Sequence, residues 1–219
     1  MELSSIKREL TYAKERHFNF AIAGYVKIIQ DITQVSGTVW DASIVLSHYL
    51  DSLGTITLEG KTILEIGAGT ALPSIVGARL GAIVIATDLI EALEYTNRAI
   101  EANCTNNILG AIQTQELAWG ANGYGLKALE TGSYEFIVGA DVVYNERYFT
   151  ELRDTLQTLS CKNTKIIIAC EQRRKDLTSF WALCEPYFHI LLLFNPMLEY
   201  YCTMGKVYLY QLTPKNIFG

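Results

Sequence analysis

The sequence is short of the residues that build disulfide frameworks and metal clusters. Its five cysteines, Cys104, Cys161, Cys170, Cys184 and Cys202, are an odd number, lie far apart and form no Cys-x-x-Cys pair. Such spacing excludes a disulfide scaffold and a zinc site on paired cysteines, and it leaves reduced thiols in core or surface positions. The only histidines are His17, His48 and His189, so no bound metal is expected. Basic charge is scarce too, with 18 Lys and Arg against 23 Asp and Glu and a formal net charge of −5. Binding to a phosphate backbone needs clustered Lys and Arg, so nucleic acid is not expected as a partner. An acidic surface favours encounter with basic targets, such as a lysine-bearing protein segment. No apolar run approaches the roughly 20 residues of a transmembrane helix. Charges at Glu2, Lys7, Arg8 and Glu9 interrupt the opening, where a secretory signal needs an unbroken apolar stretch. The expectation is a monomer of the cytoplasm, with the nucleus also open, and with no membrane association.

What is present is apolar residue in quantity. Half of the 219 residues are hydrophobic, enough for a sizeable core, and we expect one domain over residues 1–219. Residues 1–55 read as an N-terminal β-hairpin and helix, and 56–219 as the core. The alternation from Phe18 to Asp31, with Gly24 in its middle, predicts the hairpin. Apolar positions at Ile44, Val45, Tyr49 and Leu50 predict a helix from Trp40 to about Leu53, stopping near Gly54. Together these look like a lid. Beyond them strands and helices alternate: strands at Thr62–Ile66, Ile83–Asp88, Ile112–Leu117, Phe136–Gly139 and Lys165–Ala169, helices at Pro73–Leu80, Ile90–Asn103, Tyr148–Leu159 and Leu177–Cys184. That pattern predicts an α/β fold, a mostly parallel sheet covered on both faces. Ile190–Asn195 and Lys206–Leu212 are both strand-like with little room between them, so they pair antiparallel and close the sheet with an antiparallel edge strand.

Glu65-Ile66-Gly67-Ala68-Gly69-Thr70 sits where a strand hands over to a helix, the place at which an open parallel sheet binds its ligand. Asp88 ends the next strand, at about the spacing expected of an acid that accepts hydrogen bonds from ribose hydroxyls. A nicotinamide dinucleotide is the competing ligand. Leu72 replaces the third glycine of its fingerprint, and Glu65 would crowd a pyrophosphate, whereas an acid there suits a cationic sulfonium and ammonium. A glycine turn followed by a solvated Asp is the bland alternative.

Four segments together carry a more specific pattern: Val39-Trp40-Asp41-Ala42-Ser43-Ile44-Val45-Leu46, the Glu65–Gly69 loop, Leu117-Ala118-Trp119-Gly120, and Val138-Gly139-Ala140-Asp141-Val142-Val143-Tyr144. Over residues 20–212 the chain resembles the small seven-strand protein-lysine methyltransferases, a group whose members modify heat-shock chaperones, valosin-containing protein and elongation factor. The resemblance implies a Rossmann-like seven-strand sheet and S-adenosylmethionine-dependent methyl transfer to a lysine of a protein substrate, a molecular chaperone among the candidates. It also implies that Trp40, Glu65, Gly67, Ala68, Gly69, Asp88, Leu89, Trp119 and Ala140 surround the cofactor, and that Asp141 and Tyr144 face the acceptor lysine. Each placement has a physical basis. An aromatic face tolerates a nearby sulfonium, and a carboxylate just past a strand end holds an amine by a charge-assisted hydrogen bond. Plain core packing remains open for Trp40 and Trp119, and a helix N-cap for Asp141. Ala71-Leu72 departs from the group's usual glycine-leucine, which is harmless if Ala71 takes ordinary helical dihedrals.

Three rivals remain. Base-amine methyltransferases carry an Asn/Asp-Pro-Pro-Tyr/Phe slot for a flipped base, which Val142-Val143 cannot form. Histidine methylation on the same fold leaves no mark in these motifs. A non-catalytic binding module keeping the fold is the third. The basic run Arg173-Arg174-Lys175 reads as a solvated loop or as a contact for an acidic substrate surface.

Overall fold

The computed structural model of the protein describes residues 12–104, 108–172, 177–194 and 206–215. The charged opening, the Arg173–Lys175 run, Cys202 and the connection holding Pro196 and Gly205 lie outside the described residues.

The described residues open with the expected hairpin, β1 (Glu15–Phe20) and β2 (Gly24–Ile29), paired antiparallel with Phe20 opposite Gly24. Its strands alternate buried and exposed residues, as a ribbon packed on one face must. Helix α1 (Asp41–Leu58) follows, and its regular run breaks at Gly54, whose φ of 71° and ψ of 175° are non-helical. One further turn carries the chain to Leu58. Then come β3 (Thr62–Ile66), α2 (Leu72–Arg79), β4 (Ile83–Asp88), α3 (Leu93–Asn103), β5 (Ala111–Glu116), β6 (Phe136–Ala140), α4 (Phe149–Leu159), β7 (Lys165–Glu171), α5 (Thr178–Cys184), β8 (Phe188–Leu193) and β9 (Val207–Pro214).

Seven of these strands form one sheet in the order β5-β4-β3-β6-β7-β9-β8. The first five are mutually parallel, and β9 runs antiparallel to both β7 and β8. The last strand is therefore antiparallel as expected, but it lies inside the sheet, between β7 and β8, and not at its edge. Insertion there buries Val207, Leu209 and Leu212, while β8 takes the edge and leaves Leu191 and Leu192 exposed.

Strand periodicity sends alternate residues to opposite faces, and each face finds its own cover. Ile63, Val84, Phe136, Val138, Ile167 and Ala169 share a core with Leu46 and Leu50 of α1, Ile75 and Val76 of α2, and Phe18, Phe20, Val26 and Ile28 of the hairpin. Leu64, Ile66, Ile137, Ile166 and Ile168 share the other with Leu152 and Leu156 of α4 and Phe180 of α5. The hairpin is thus built into the first core. Its turn is held by Asp51 of α1, whose buried carboxylate accepts hydrogen bonds from the N–H groups of Ala21 (2.8 Å), Ile22 (3.1 Å) and Ala23 (2.8 Å). Among the described residues no helix is long and apolar enough to cross a membrane.

Candidate active site

The turn from β3 into α2 opens the site. Gly67 and Gly69 adopt φ of 64° and 50°, where an L side chain is strained, and there is no room for one. A Cβ on Gly67 would come 2.8 Å from Val142 Cγ1, and one on Gly69 would come 3.1 Å from the Ser36 carbonyl oxygen. Ala71 is left-handed as well, at φ 52°. This corrects the expectation of ordinary helical dihedrals at that position, and it accounts for the glycine usual there.

Two acids flank the turn. Glu65 points from β3 to the start of α2, where the Ser74 N–H (3.0 Å) and hydroxyl donate to the same carboxylate oxygen, satisfying a donor of the helix's first turn. Burial raises its pKa to about 8, against the pull of the Ser74 bonds. Asp88 ends β4. Its carboxylate accepts from the Gly69 N–H and the Leu89 N–H, each at 2.8 Å, and so fixes the glycine turn as well as facing the cavity. Burial lifts its pKa, the two N–H bonds lower it and the charge of Glu91 raises it further.

The opposite wall comes from β5, β6 and α4. Trp119 follows β5, and the loop is anchored where the Gly120 N–H donates to Thr155 Oγ1 at 2.7 Å. Beyond β6, Asp141 takes φ 58°, a conformation that Asp tolerates better than most residues. Its N–H donates to the Ala169 carbonyl at 2.7 Å, and its Oδ1 accepts from the Glu171 N–H at 3.4 Å. The short turn Glu146–Tyr148 is capped by Asn145, so among the described residues the cap near Asn145 is not Asp141. Burial and then the Asp141 charge push the Cys170 thiol up to about 12. Val142 and Val143 are buried, and Tyr144 emerges half-exposed, its hydroxyl pKa raised by burial and next by the charge of Asp88.

A cavity of about 470 Å³ lies between these walls. It is lined by Trp40, Glu65, Gly67, Ala68, Gly69, Asp88, Leu89, Trp119, Ala140, Asp141 and Tyr144, so the geometry gathers every residue singled out from the sequence. It also brings in residues that sequence reasoning passed over: Val35, Ser36 and Thr38 from the strap between hairpin and helix, Ser43 from α1, and Tyr148 and Glu151 at the start of α4. The strap is folded by Asp31, whose carboxylate accepts from the Thr33 N–H at 3.1 Å and hydroxyl at 2.6 Å, and by Trp40 Nε1, which donates to the Val35 carbonyl at 3.0 Å. The Asp31-x-Thr33 turn signal was readable; its approach to Gly69 was not.

Among the described residues lining the cavity are four carboxylates, Glu65, Asp88, Asp141 and Glu151, and no Lys or Arg. Such a wall suits a cation and repels a pyrophosphate. The glycine cradle, an acid for ribose hydroxyls and two tryptophans also fit a nucleoside carrying a sulfonium amino acid.

Comparison with known proteins points the same way. A family model described as lysine methyltransferase matches residues 25–186. The protein N-lysine methyltransferase METTL21A of Mus musculus is 40% identical over 174 residues, 78% of each chain. EEF1A lysine methyltransferase 3 of Xenopus tropicalis is 31% identical over 180 residues, 81% of this chain and 76% of its own. Among solved structures, a SAM-dependent methyltransferase from Agrobacterium tumefaciens superposes with a TM-score of 0.59 at 13% identity, covering 93% of this chain and 71% of its own, a likeness of fold. The chain belongs to the lysine methyltransferase family.

Proposed function

We propose that this cavity binds S-adenosylmethionine and a lysine side chain of a protein substrate side by side, and that Asp141 and Tyr144 serve the acceptor. The observation that carries the reading is a wall of four acids without a basic side chain, since both ligands bring positive charge; Glu65, neutral in the free protein, gives up its proton to water as the ammonium arrives. The Gly67–Gly69 backbone and Ala68 cradle the cofactor, Asp88 and Leu89 hold its ribose, Glu65 serves its ammonium, Trp40 covers the methionine end, and Trp119 and Ala140 wall the base. Bound S-adenosylmethionine supplies an electrophilic methyl group on a cationic sulfur.

The acceptor must arrive as a neutral amine aligned for attack, so the protein contributes chiefly by positioning. Asp141 accepts a hydrogen bond from the amine and fixes its orientation, while Tyr144 walls the entrance. A carboxylate also raises an amine's pKa, and the apolar walls given by Val35, Leu117 and Val142 oppose this by desolvation. A molecular chaperone is the first substrate to examine, on the likeness from Val39-Trp40-Asp41-Ala42 through the Ala169-Cys170 strand end to chaperone-modifying members. EEF1A comes second, because a relative's name specifies it. The free thiols of Cys104, Cys161, Cys170 and Cys184 accord with the reducing cytoplasm or nucleus.

Calorimetric titration with S-adenosylmethionine and, separately, with NAD tests the site. Saturable binding of the first alone, weakened roughly tenfold or more in Asp88→Ala, is expected. Binding of NAD in its place would overturn the reading.

A further inference from the structure

Burial sorts the cavity wall by depth. Among the described residues that line it, the exposed ones are Val35 (66% exposed), Leu89 (45%), Tyr144 (49%) and Tyr148 (48%), whereas Glu65, Asp88, Asp141 and Glu151 are buried or only partly exposed. An acidic interior thus opens through an apolar rim. A single exposed apolar side chain is ordinary on a protein surface, but four around one opening form a patch of the kind that meets a partner.

Both sides of the rim are fixed through the backbone. The strap carrying Val35 is closed by the Asp31 N–H, which donates to the Gly37 carbonyl at 2.9 Å, and by the Val39 N–H, which donates to Gln30 Oε1 at 2.7 Å. Residues 32–39 bring no charged side chain to it. In the connection from β6 to α4, the Tyr148 N–H donates to the Asn145 carbonyl at 3.0 Å, and Asn145 Oδ1 accepts from the Arg147 N–H at 3.2 Å. A surface held in this way loses little freedom when a partner settles on it.

The sulfonium of the cofactor joins its ribose to its methionine end, which the proposed placement gives to Asp88 with Leu89 and to Trp40. Val35 stands beside Trp40, whose Nε1 donates to the Val35 carbonyl at 3.0 Å. Tyr144 stands where its hydroxyl feels the charge of Asp88 and then that of Tyr148. A lysine of another protein reaches the methyl group through this opening, so its neighbours in the partner's chain come to rest on the rim. One ammonium meets the acids inside, and further basic side chains beside it would be desolvated against hydrocarbon. We infer that Val35, Tyr144 and Tyr148 form a docking surface for those neighbours, and that the partner is a protein segment whose acceptor lysine is flanked by apolar side chains, not a lysine within a basic cluster. The inference rests on the cofactor and acceptor placement proposed above.

The probes are three synthetic peptides with a single acceptor lysine flanked on each side by Leu, by Ser or by Arg in an otherwise Gly-Ser background. Methyl transfer from labelled S-adenosylmethionine is measured for wild type and for the double variant Val35→Ser with Tyr148→Ser, whose altered side chains are exposed. Wild type is expected to show a kcat/KM for the Leu-flanked peptide roughly tenfold or more above that for the Ser-flanked one, the worth of burying part of two leucines, with the Arg-flanked peptide no better than the Ser-flanked. In the variant the Leu-flanked advantage should fall to within about threefold while calorimetric affinity for S-adenosylmethionine stays within about twofold. Preference for the Arg-flanked peptide, or a Leu-flanked advantage undiminished in the variant, would overturn the inference. Lost cofactor affinity in the variant would overturn it too, by assigning the rim to the cofactor. So would a protein that binds the cofactor and methylates none of the peptides, because the rim would then not read the acceptor's neighbours. Wild type that does not bind S-adenosylmethionine would overturn the cofactor placement itself, a separate result.

Discussion

Glu65 holds its proton at neutral pH in the free protein, because burial lifts its pKa to about 8. A folded-state pKa raised above the unfolded value contributes stability that is fully present below about 4.5 and is lost as pH rises through about 8. Glu65→Gln should remove this dependence. Urea denaturation between pH 5 and pH 8 should show wild type losing stability relative to the variant, with a slope of at most about 1.4 kcal/mol per pH unit. Parallel curves would contradict the buried, protonated carboxyl. Asp141 makes a different prediction, because its work is proposed to begin with the substrate. Asp141→Asn keeps a residue that tolerates the left-handed backbone at φ 58°. It should lower kcat/KM for the lysine substrate roughly tenfold or more while leaving cofactor affinity within about twofold, read by paired kinetics and calorimetry. At this scale the sequence was a good guide to which residues meet in the cavity, since strand ends, glycines and tryptophans carry local signals. Glu151 carried none. In the sequence it is an acid in a helix's first turn, which the helix dipole alone would explain, and it joins the cavity wall only once α4 docks on the Gly120 loop.

Among the elements, the turn of the N-terminal hairpin takes its acceptor from another, Asp51 of α1. Asp51→Ala should leave the N–H groups of Ala21, Ile22 and Ala23 without their acceptor and destabilise the protein by roughly 1–3 kcal/mol. Hydrogen exchange at those three amides should accelerate more than exchange in β3. A loss below about 0.5 kcal/mol would mean that water replaces the carboxylate at this turn. Most elements were legible from pattern, because β3, β4, β6 and β7 are short apolar runs and α4 has one apolar stripe, at Phe149, Leu152, Leu156 and Leu159. The position of β9 was not. Two adjacent strand-like segments specify their own antiparallel pairing, but which of them also pairs with β7 is decided by contacts far away in sequence. The strap over residues 31–40 was likewise readable as turns and not as cavity wall, since Ser36 meets Gly69 only in the folded chain.

For the molecule as a whole, β3, β4, β5 and β6 run parallel and so deliver their C-terminal ends to one side of the sheet. Gly67 and Gly69, Asp88, Trp119 and Asp141 follow those four ends in turn, which is why residues so distant in sequence converge. The strap lines the cavity beside them while the hairpin packs into the first core, and the charged side chains of the wall are all acids. The account's central claim is that this cavity moves a methyl group from S-adenosylmethionine to a lysine of another protein. The most direct test incubates the purified protein with isotopically methyl-labelled S-adenosylmethionine and candidate protein substrates, a chaperone and EEF1A among them, and locates the label by mass spectrometry. The expected result is label on a lysine side-chain nitrogen with wild type and none above background with Asp88→Ala. Label on histidine, or no transfer to any protein from a folded enzyme that binds the cofactor, would contradict it.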